Sequence, residues 1–86
     1  MEPEIAKEQI ITVLKSAFKN AKVQLDQMAG GRYSGIIIWD GFEDQDSVDR
    51  QDRLHDALTS GLQGEASKVG IMLAYTPHEM RVMKAA

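Results

Sequence analysis

The spacing of apolar residues near the start of the chain predicts an amphipathic helix. Apolar side chains recur at steps of three and four residues, which places them on one face of an α-helix. They are Ala6, Ile10, Val13, Leu14, Ala17, Phe18 and Ala21. Pro3 suits the first helical turn, where its missing N–H would have no partner anyway. We therefore expect a helix over roughly Glu2–Asn20.

Two strands are predicted next. Val23–Met28 alternates apolar and polar residues for most of its length, as does a strand with one face in water. Tyr33–Trp39 contains three consecutive isoleucines, which favour a strand. Between them, Gly30 and Gly31 tolerate positive φ and allow the chain to reverse. These segments should pair as an antiparallel hairpin.

A second helix is predicted from Asp46 or Ser47 to about Leu62, because either side chain can accept hydrogen bonds from the free amides of a first turn. At 100° per residue, one sector of this helix contains Val48, Leu54, Leu58 and Leu62 together with Gln51 and His55. We expect the two polar residues to lie on or beside the core. Gly64 is well placed to end the helix in a left-handed conformation.

The last strand is predicted at Val69–Tyr75, which is almost wholly apolar. Such a segment suits a strand that is covered on both faces or lies centrally. Pro77 ends it, and His78–Lys84 has helical propensity but too few turns to be stable unless it docks. A crossover can return the last strand beside the second. The predicted fold is α+β, with a mixed three-stranded sheet backed by helices.

Length and composition limit the classes of function. Residues 1–86 form one domain, and a chain of this size buries only about 60 to 65% of its unfolded surface. No apolar run approaches the ~18 to 20 residues that span a bilayer. The start, Met-Glu-Pro-Glu-Ile, lacks the basic and apolar segments of a secretory signal, so we expect a cytoplasmic location.

The residues available for chemistry favour binding over catalysis. The chain has no cysteine, which excludes thiolate ligands and disulfides. No nucleophile, base and orienting group can be assembled from its two histidines and its serines, so we expect no enzyme activity. The acidic residues around Asp44 lack EF-hand spacing, since Asp49 and His55 occupy the positions of the required Gly and Glu. No metal site is predicted.

One motif keeps a nucleic-acid function open. Gly61-Leu-Gln-Gly64 matches the Gly-x-x-Gly pattern with which KH domains clamp a nucleotide backbone, although glycines also suit a helix end. Lys68 and Arg53 could add basic contacts, but the net charge of −3 gives no general attraction for phosphate. The alternative function is therefore a KH-like nucleic-acid-binding or transcription-regulating module.

Two segments, Phe42–Leu58 and Tyr75–Met80, carry a resemblance to a known family. Its members have a Phe-x-Gly-x-Ser segment before an Arg-His-Arg helix, and close with His-Ala-Leu and then Tyr-Thr-Pro-x-Glu-Trp. The residues in step with this pattern are Phe42, Arg50, Leu58, Tyr75, Thr76, Pro77 and Glu79. The chain thus resembles the BolA-like family over about Glu8–Met80, with one extra residue before the last strand. The resemblance implies a KH-like (class II) αββαβ fold.

The resemblance also implies a partner. BolA-like proteins pair with monothiol glutaredoxins and share a two-iron cluster, using the strand histidine and often a second ligand from the hairpin loop. Here Lys68 stands at the strand-histidine position and Arg32 lies in the loop, and both are protonated cations without a lone pair. Gln51 replaces the helix histidine and cannot titrate near neutrality. We therefore expect no cofactor held by this chain alone. A cluster shared with a partner stays an open alternative, for which His78 is the fallback ligand if the closing segment folds back.

Together these observations predict a non-enzymatic BolA-like adaptor or regulatory domain in iron–sulfur or redox-linked regulation. It should bind a monothiol glutaredoxin or another protein through Arg32, Arg50, Gln51 and Lys68. The nucleic-acid alternative would use Gly61, Gly64, Lys68 and Arg53. An orphan self-associating domain is a third possibility, and we expect a monomer or weak homodimer.

Overall fold

The computed structural model describes residues 7–85 and contains three helices and three strands. In chain order they are α1 (Lys7–Ala17), β1 (Lys22–Gln27), β2 (Tyr33–Ile38), α2 (Ser47–Leu62), β3 (Val69–Tyr75) and α3 (Pro77–Ala85). The predicted α+β fold and its order of elements are confirmed. No helix within residues 7–85 is both long and apolar enough to cross a membrane.

The sheet has the order β1-β2-β3. β1 and β2 are antiparallel, with Lys22 opposite Ile38, and their connection contains the predicted glycines, Gly30 at φ 82° and Gly31 at φ 77°. β3 is parallel to β2. The register is irregular at the start of β3, where Tyr33 and Gly35 pair with Val69 and Met72, so that β3 contains one more residue than β2 over this interval.

The hydrophobic core lies between α1, α2 and one face of the sheet. Its buried residues are Ile10, Leu14, Phe18, Ala21, Leu25, Tyr33, Ile37, Phe42, Leu54, Leu58, Leu62 and Met72. Three aromatic rings meet at one end of the core, where Trp39 packs edge-on against Phe18 and Phe42 with ring centroids 4.9 and 5.1 Å away. The Trp39 indole N–H also donates to the carbonyl of Lys19 at 2.9 Å.

The prediction that Val69–Tyr75 is central or covered on both faces is wrong. β3 is an edge strand, and Ile71 and Leu73 are 70% and 43% exposed. Met72 and Ala74, on the face toward α2, pack in or against the core. Apolar content therefore predicted a strand correctly, but nothing within residues 7–85 buries the second face of that strand to the depth of the core.

Two predictions about α2 are also wrong. Val48 is 66% exposed, because the first turn of α2 lies beside the outer edge of β3, where no strand faces it. Gly64 does not adopt a left-handed conformation, since the chain continues into a 3₁₀ helix at Gln63–Lys68. Gly61 instead has the structural role, because a Cβ at this position would collide with Val13 of α1.

The first helix is shorter than predicted. α1 ends at Ala17, although the amide of Phe18 still donates to the carbonyl of Leu14 at 2.8 Å. Asn20 has φ 68° and turns the chain into β1. The predicted start at Glu2 lies outside the described residues.

Candidate functional site

α2 begins at a side-chain cap. The carboxylate of Asp46 accepts a hydrogen bond from the amide of Asp49 at 2.9 Å, which satisfies one free donor of the first turn. The backbone amide of Arg50 donates to the carbonyl of Asp46 at 3.0 Å. The cap therefore fixes where the side chains of Arg50 and Gln51 leave the helix.

All five N–H donors of the Arg50 guanidinium have acceptors within the chain. Its Nε donates to the carbonyl of Gln45 at 2.9 Å, and Nη2 donates to the carbonyl of Phe42 at 2.9 Å. Nη1 donates to the carbonyl of Ala74 at 3.0 Å. The two remaining bonds run to both carboxylate oxygens of Glu79, at 2.8 and 3.1 Å. Arg50 is therefore fully engaged in holding α2, β3 and α3 together.

Glu79 joins this network to the start of α3 through a capping box. The amide of Thr76 donates to Oε1 of Glu79 at 2.9 Å, and the amide of Glu79 donates to the hydroxyl of Thr76 at 3.1 Å. The hydrogen bonds from Arg50 and from the Thr76 amide hold the pKa of the Glu79 carboxyl below its usual range. The hydrogen bond with Glu79 in turn raises the pKa of Arg50, so both side chains are charged near neutral pH.

Arg50 and Gln51 together cap the outer edge of β3. Nε2 of Gln51 donates to the carbonyl of Met72 at 2.8 Å, and Arg50 reaches the carbonyl of Ala74. Carbonyls of β3 alternate in direction, and the next one, that of Tyr75, points the other way and accepts a hydrogen bond from the amide of Trp39 at 2.9 Å. Two carbonyls of this free edge are therefore already occupied by side chains of α2.

A cavity of about 430 Å³ lies beside the start of β3, and we name it the sheet-end cavity. Arg32 reaches it from the hairpin connection, Gln51 and His55 from α2, and Ser67 and Val69 from the segment that enters β3. Three separate parts of the chain therefore meet there. The arrangement combines guanidinium, amide and imidazole groups with an apolar wall that includes Leu54, Leu58 and Met72.

Only two of the four predicted partner-binding residues line the sheet-end cavity. These are Arg32 and Gln51, whereas half-buried Lys68 does not line it, although its chain neighbours Ser67 and Val69 do. Arg50 does not line this cavity, and its donors are all in use.

The residues of the nucleic-acid alternative serve packing between helices. Gly61 allows α1 to approach α2, as described above. The Arg53 guanidinium lies 5.1 Å from the ring centroid of Trp39 and 5.9 Å from that of Phe18. Gly64 has open space around it and lies in the 3₁₀ segment that follows α2.

Sequence reasoning did not assign His55 to the candidate site. It placed His55 on or beside the core, whereas the side chain is exposed and lines the sheet-end cavity with Gln51. The available signal was the four-residue spacing of these two polar side chains on one helix face. Gln51 is likewise exposed, although it reaches across to β3.

The residues around the cavity do not fit a complete iron–sulfur site. Arg32 and Lys68 carry protons on the nitrogens that would have to donate electron pairs. His55 brings one imidazole, and the chain has no thiolate. Within residues 7–85, no group of three or more His, Cys, Asp or Glu side chains could hold a metal ion.

Comparison with known proteins identifies the fold. No protein-family model matches the chain, and no curated protein matches it. A Bol-like protein from Babesia bovis is similar in structure, with a TM-score of 0.71 and 19% identity over 98% of this chain and 99% of that one. A BolA protein homologue from Coxiella burnetii has a TM-score of 0.69 and 20% identity over 90% and 97% of the two chains. The chain therefore has the BolA-like fold over nearly its whole length.

Proposed function

We propose that this chain is a non-catalytic adaptor that binds a protein partner, a monothiol glutaredoxin in the first instance, at the sheet-end cavity. The observation that carries the proposal is the meeting of Arg32, Gln51 and His55, from separate parts of the chain, around one cavity. These side chains offer a guanidinium, an amide and an imidazole, and among the described residues no hydrogen bond joins His55 to the hydroxyl of Thr59 or Ser67, which line the same cavity. Such a surface suits recognition rather than catalysis.

The network of Arg50 supports this function indirectly. By fixing α2 against β3, it holds Gln51 over the carbonyl of Met72 at the rim of the cavity. Nε2 of Gln51 is thereby oriented, and the amide oxygen remains available to a donor from a partner. We assign Arg50 the role of positioning the site and assign direct contacts to Arg32, Gln51, His55 and Lys68.

In this function the iron–sulfur cluster stays bound to the partner. Because the cations at Arg32 and Lys68 provide no ligand, this chain would bind beside the cluster and act on it through access and charge. Two cations near a cluster that carries thiolate ligands are electrostatically favourable. The proposed adaptor therefore modulates a partner without completing its metal site.

The proposal is tested by an amide NMR titration of the labelled chain with a cluster-loaded monothiol glutaredoxin. We expect saturable shifts at Arg32, Gln51, His55 and Lys68. Replacing Arg32 or Lys68 by Ala should weaken binding about tenfold, which is the loss of a moderately important interface contact. Lys15→Ala is the matched control, because Lys15 is an exposed cation of α1 outside this cavity.

Four outcomes would contradict the proposal. Absence of saturable shifts would exclude this partner, and equal losses in Lys15→Ala and Arg32→Ala would exclude this site. A changed cluster spectrum would mean that the chain does supply a ligand, and its loss in His55→Ala would identify that ligand. Binding of a single-stranded oligonucleotide that weakens steeply with salt, at Gly61 and Arg53, would instead favour the nucleic-acid alternative.

A further inference from the structure

The face of the sheet opposite α1 and α2 carries an apolar stripe that is not part of the core. On β2 the stripe contains half-buried Ile36 and Ile38, and on β3 it contains Leu73 and Ile71, which are 43% and 70% exposed. None of these side chains belongs to the buried core or packs against it. We call this surface, with Tyr75 and the outward side chains of β1, the open face.

The strand pairing makes this exposure unusual. β2 and β3 form a parallel pair, with Ile36 beside Leu73 and Ile38 beside Tyr75. Parallel strands are rich in apolar residues because both of their faces are normally covered. Here α1 and α2 cover one face of β2 and β3. On the open face, α3 approaches only near Ile38, where Met80 and Ile38 line the same cavity. The rest of the stripe lacks a covering layer within residues 7–85.

The charges beside the stripe indicate what could cover it. Lys22 lies directly opposite Ile38 in the register, and a cavity of about 340 Å³ brings Lys22 and Ile38 together with Arg81 and Lys84 of α3. Asp40 is the carboxylate that lines the same cavity. Glu43 lies with Asp40 and Arg81 at the adjoining cavity, but among the described side chains no ion pair joins either carboxylate to Lys22, Arg81 or Lys84, and the three cations outnumber the two carboxylates.

This positive rim is local, because the whole chain has a net charge of −3. The apolar stripe begins at the cationic end and continues away from it along β2 and β3. At the far end of β1, Asp26 lies opposite Ser34. A segment with acidic residues at one end and apolar side chains along one face would match both features.

The shape of the surface favours a helix over a strand as that segment. Strand addition would extend an edge of the sheet, at β1 or β3, and would leave the apolar face uncovered; at β3 the carbonyls of Met72 and Ala74 are also occupied by Gln51 and Arg50. Three strands spaced about 4.8 Å apart make a face roughly 10 Å wide, which matches the diameter of one α-helix. Helices already cover the other face of this sheet.

We propose that the open face binds an acidic amphipathic helix of a partner protein, with its apolar side chains on Ile36, Leu73 and Ile71 and its carboxylates on Lys22, Arg81 and Lys84. This site lies on the face of the sheet opposite the core and is independent of the function proposed above.

The probe is a synthetic helix of roughly 15 residues, about four turns, with Leu along one face and Glu in the turns at one end. The same peptide with Lys in place of every Glu is the charge control. In amide NMR titrations at low salt, we expect the acidic peptide to shift Ile36, Leu73 and Lys22 saturably, and the basic peptide to bind about tenfold more weakly or not at all.

Two matched pairs of variants locate the contact. Ile71→Ser should weaken binding of the acidic peptide about tenfold, whereas Val48→Ser should leave it unchanged. Val48 is a fair control because it is also a β-branched residue and is 66% exposed, against 70% for Ile71. Lys84→Glu should weaken binding and lower its salt dependence, whereas Lys15→Glu on α1 should do neither.

The proposal is overturned if both peptides bind equally or neither binds. It is also overturned if a single-stranded oligonucleotide shifts Lys22, Arg81 and Lys84 more strongly than the acidic peptide does. Shifts at Ile71 and Leu73 that grow with protein concentration alone, with a rising mass in sedimentation, would assign the face to a second copy of the chain and not to a partner helix.

Discussion

The hydrogen bonds of Arg50 predict a large loss of stability when this residue is replaced. Arg50→Met keeps the aliphatic bulk of the side chain but leaves the carbonyls of Phe42, Gln45 and Ala74 without their donor. The side chain of Arg50 is only 11% exposed, so water replaces these bonds poorly. At about 1 kcal/mol for each hydrogen bond, we expect a loss of about 3 kcal/mol.

The ion pair itself should contribute much less. Glu79 is 40% exposed, and an ion pair with one solvated partner contributes at most about 1 kcal/mol. Glu79→Gln keeps the length of the side chain and an oxygen for the Thr76 amide, so we expect it to cost about 1 kcal/mol or less. The predicted asymmetry is that Arg50 stabilises the domain about three times as much as its counter-ion does.

Urea denaturation followed by far-UV circular dichroism measures this asymmetry. The free energy of unfolding is compared among variants whose m-values agree. Arg53→Met is the control for loss of a guanidinium without hydrogen bonds, and it should cost about 0.5 to 1 kcal/mol, the contribution of a partly exposed cation–π contact. Equal losses in Arg50→Met and Glu79→Gln would refute the reasoning, because the network would then behave as a surface ion pair.

Three other predictions follow from the same contacts. The pKa of Glu79 is lower in the folded chain than in the unfolded chain. Its contribution to stability is therefore complete above the unfolded-state pKa of about 4.3 and is lost as pH falls through the folded-state pKa. When the free energy of unfolding is measured at decreasing pH, Glu79→Gln should lose less stability than the parent. Gly61→Ala should destabilise the domain by about 1 kcal/mol, since overpacking against α1 exceeds the gain in helix propensity, whereas Gly64→Ala, in open space, should be neutral or slightly stabilising in the same denaturation assay. Lys68→His should let the chain alter the visible absorption of a cluster-loaded glutaredoxin that the parent leaves unchanged, and an unchanged spectrum would show that Lys68 does not face the cluster.

Local signals predicted most of the fold. The bounds of α2 and β3 agree with expectation, because Asp46 marks the start of the helix and Pro77 follows the end of the strand. The glycines of the hairpin have the positive φ values that their sequence suggested. Each of these features depends on a few neighbouring residues, and a single sequence contains that information.

Features that depend on distant contacts were not predictable in this way. The apolar content of β3 could not reveal an edge position, and the helical sector that contained Val48 could not reveal that the core ends before the first turn of α2. The sheet-end cavity joins Arg32 to His55 across the fold. Arg50 and Glu79 both match the family pattern, but local signals do not predict their pairing, which joins residues 29 apart in sequence.

The acceptors of Arg50 also constrain the order in which the chain can fold. Contacts within the β1–β2 hairpin join residues close in sequence, whereas β3 can pair with β2 only after the whole of α2 has been bridged, which costs more chain entropy. The carbonyls of Phe42 and Gln45 are 8 and 5 residues from Arg50, but Ala74 and Glu79 are 24 and 29 residues away. A nascent chain that has not yet made α3 therefore holds a guanidinium without its counter-ion. The hydrogen bonds of Arg50 are complete only once α3 has been made.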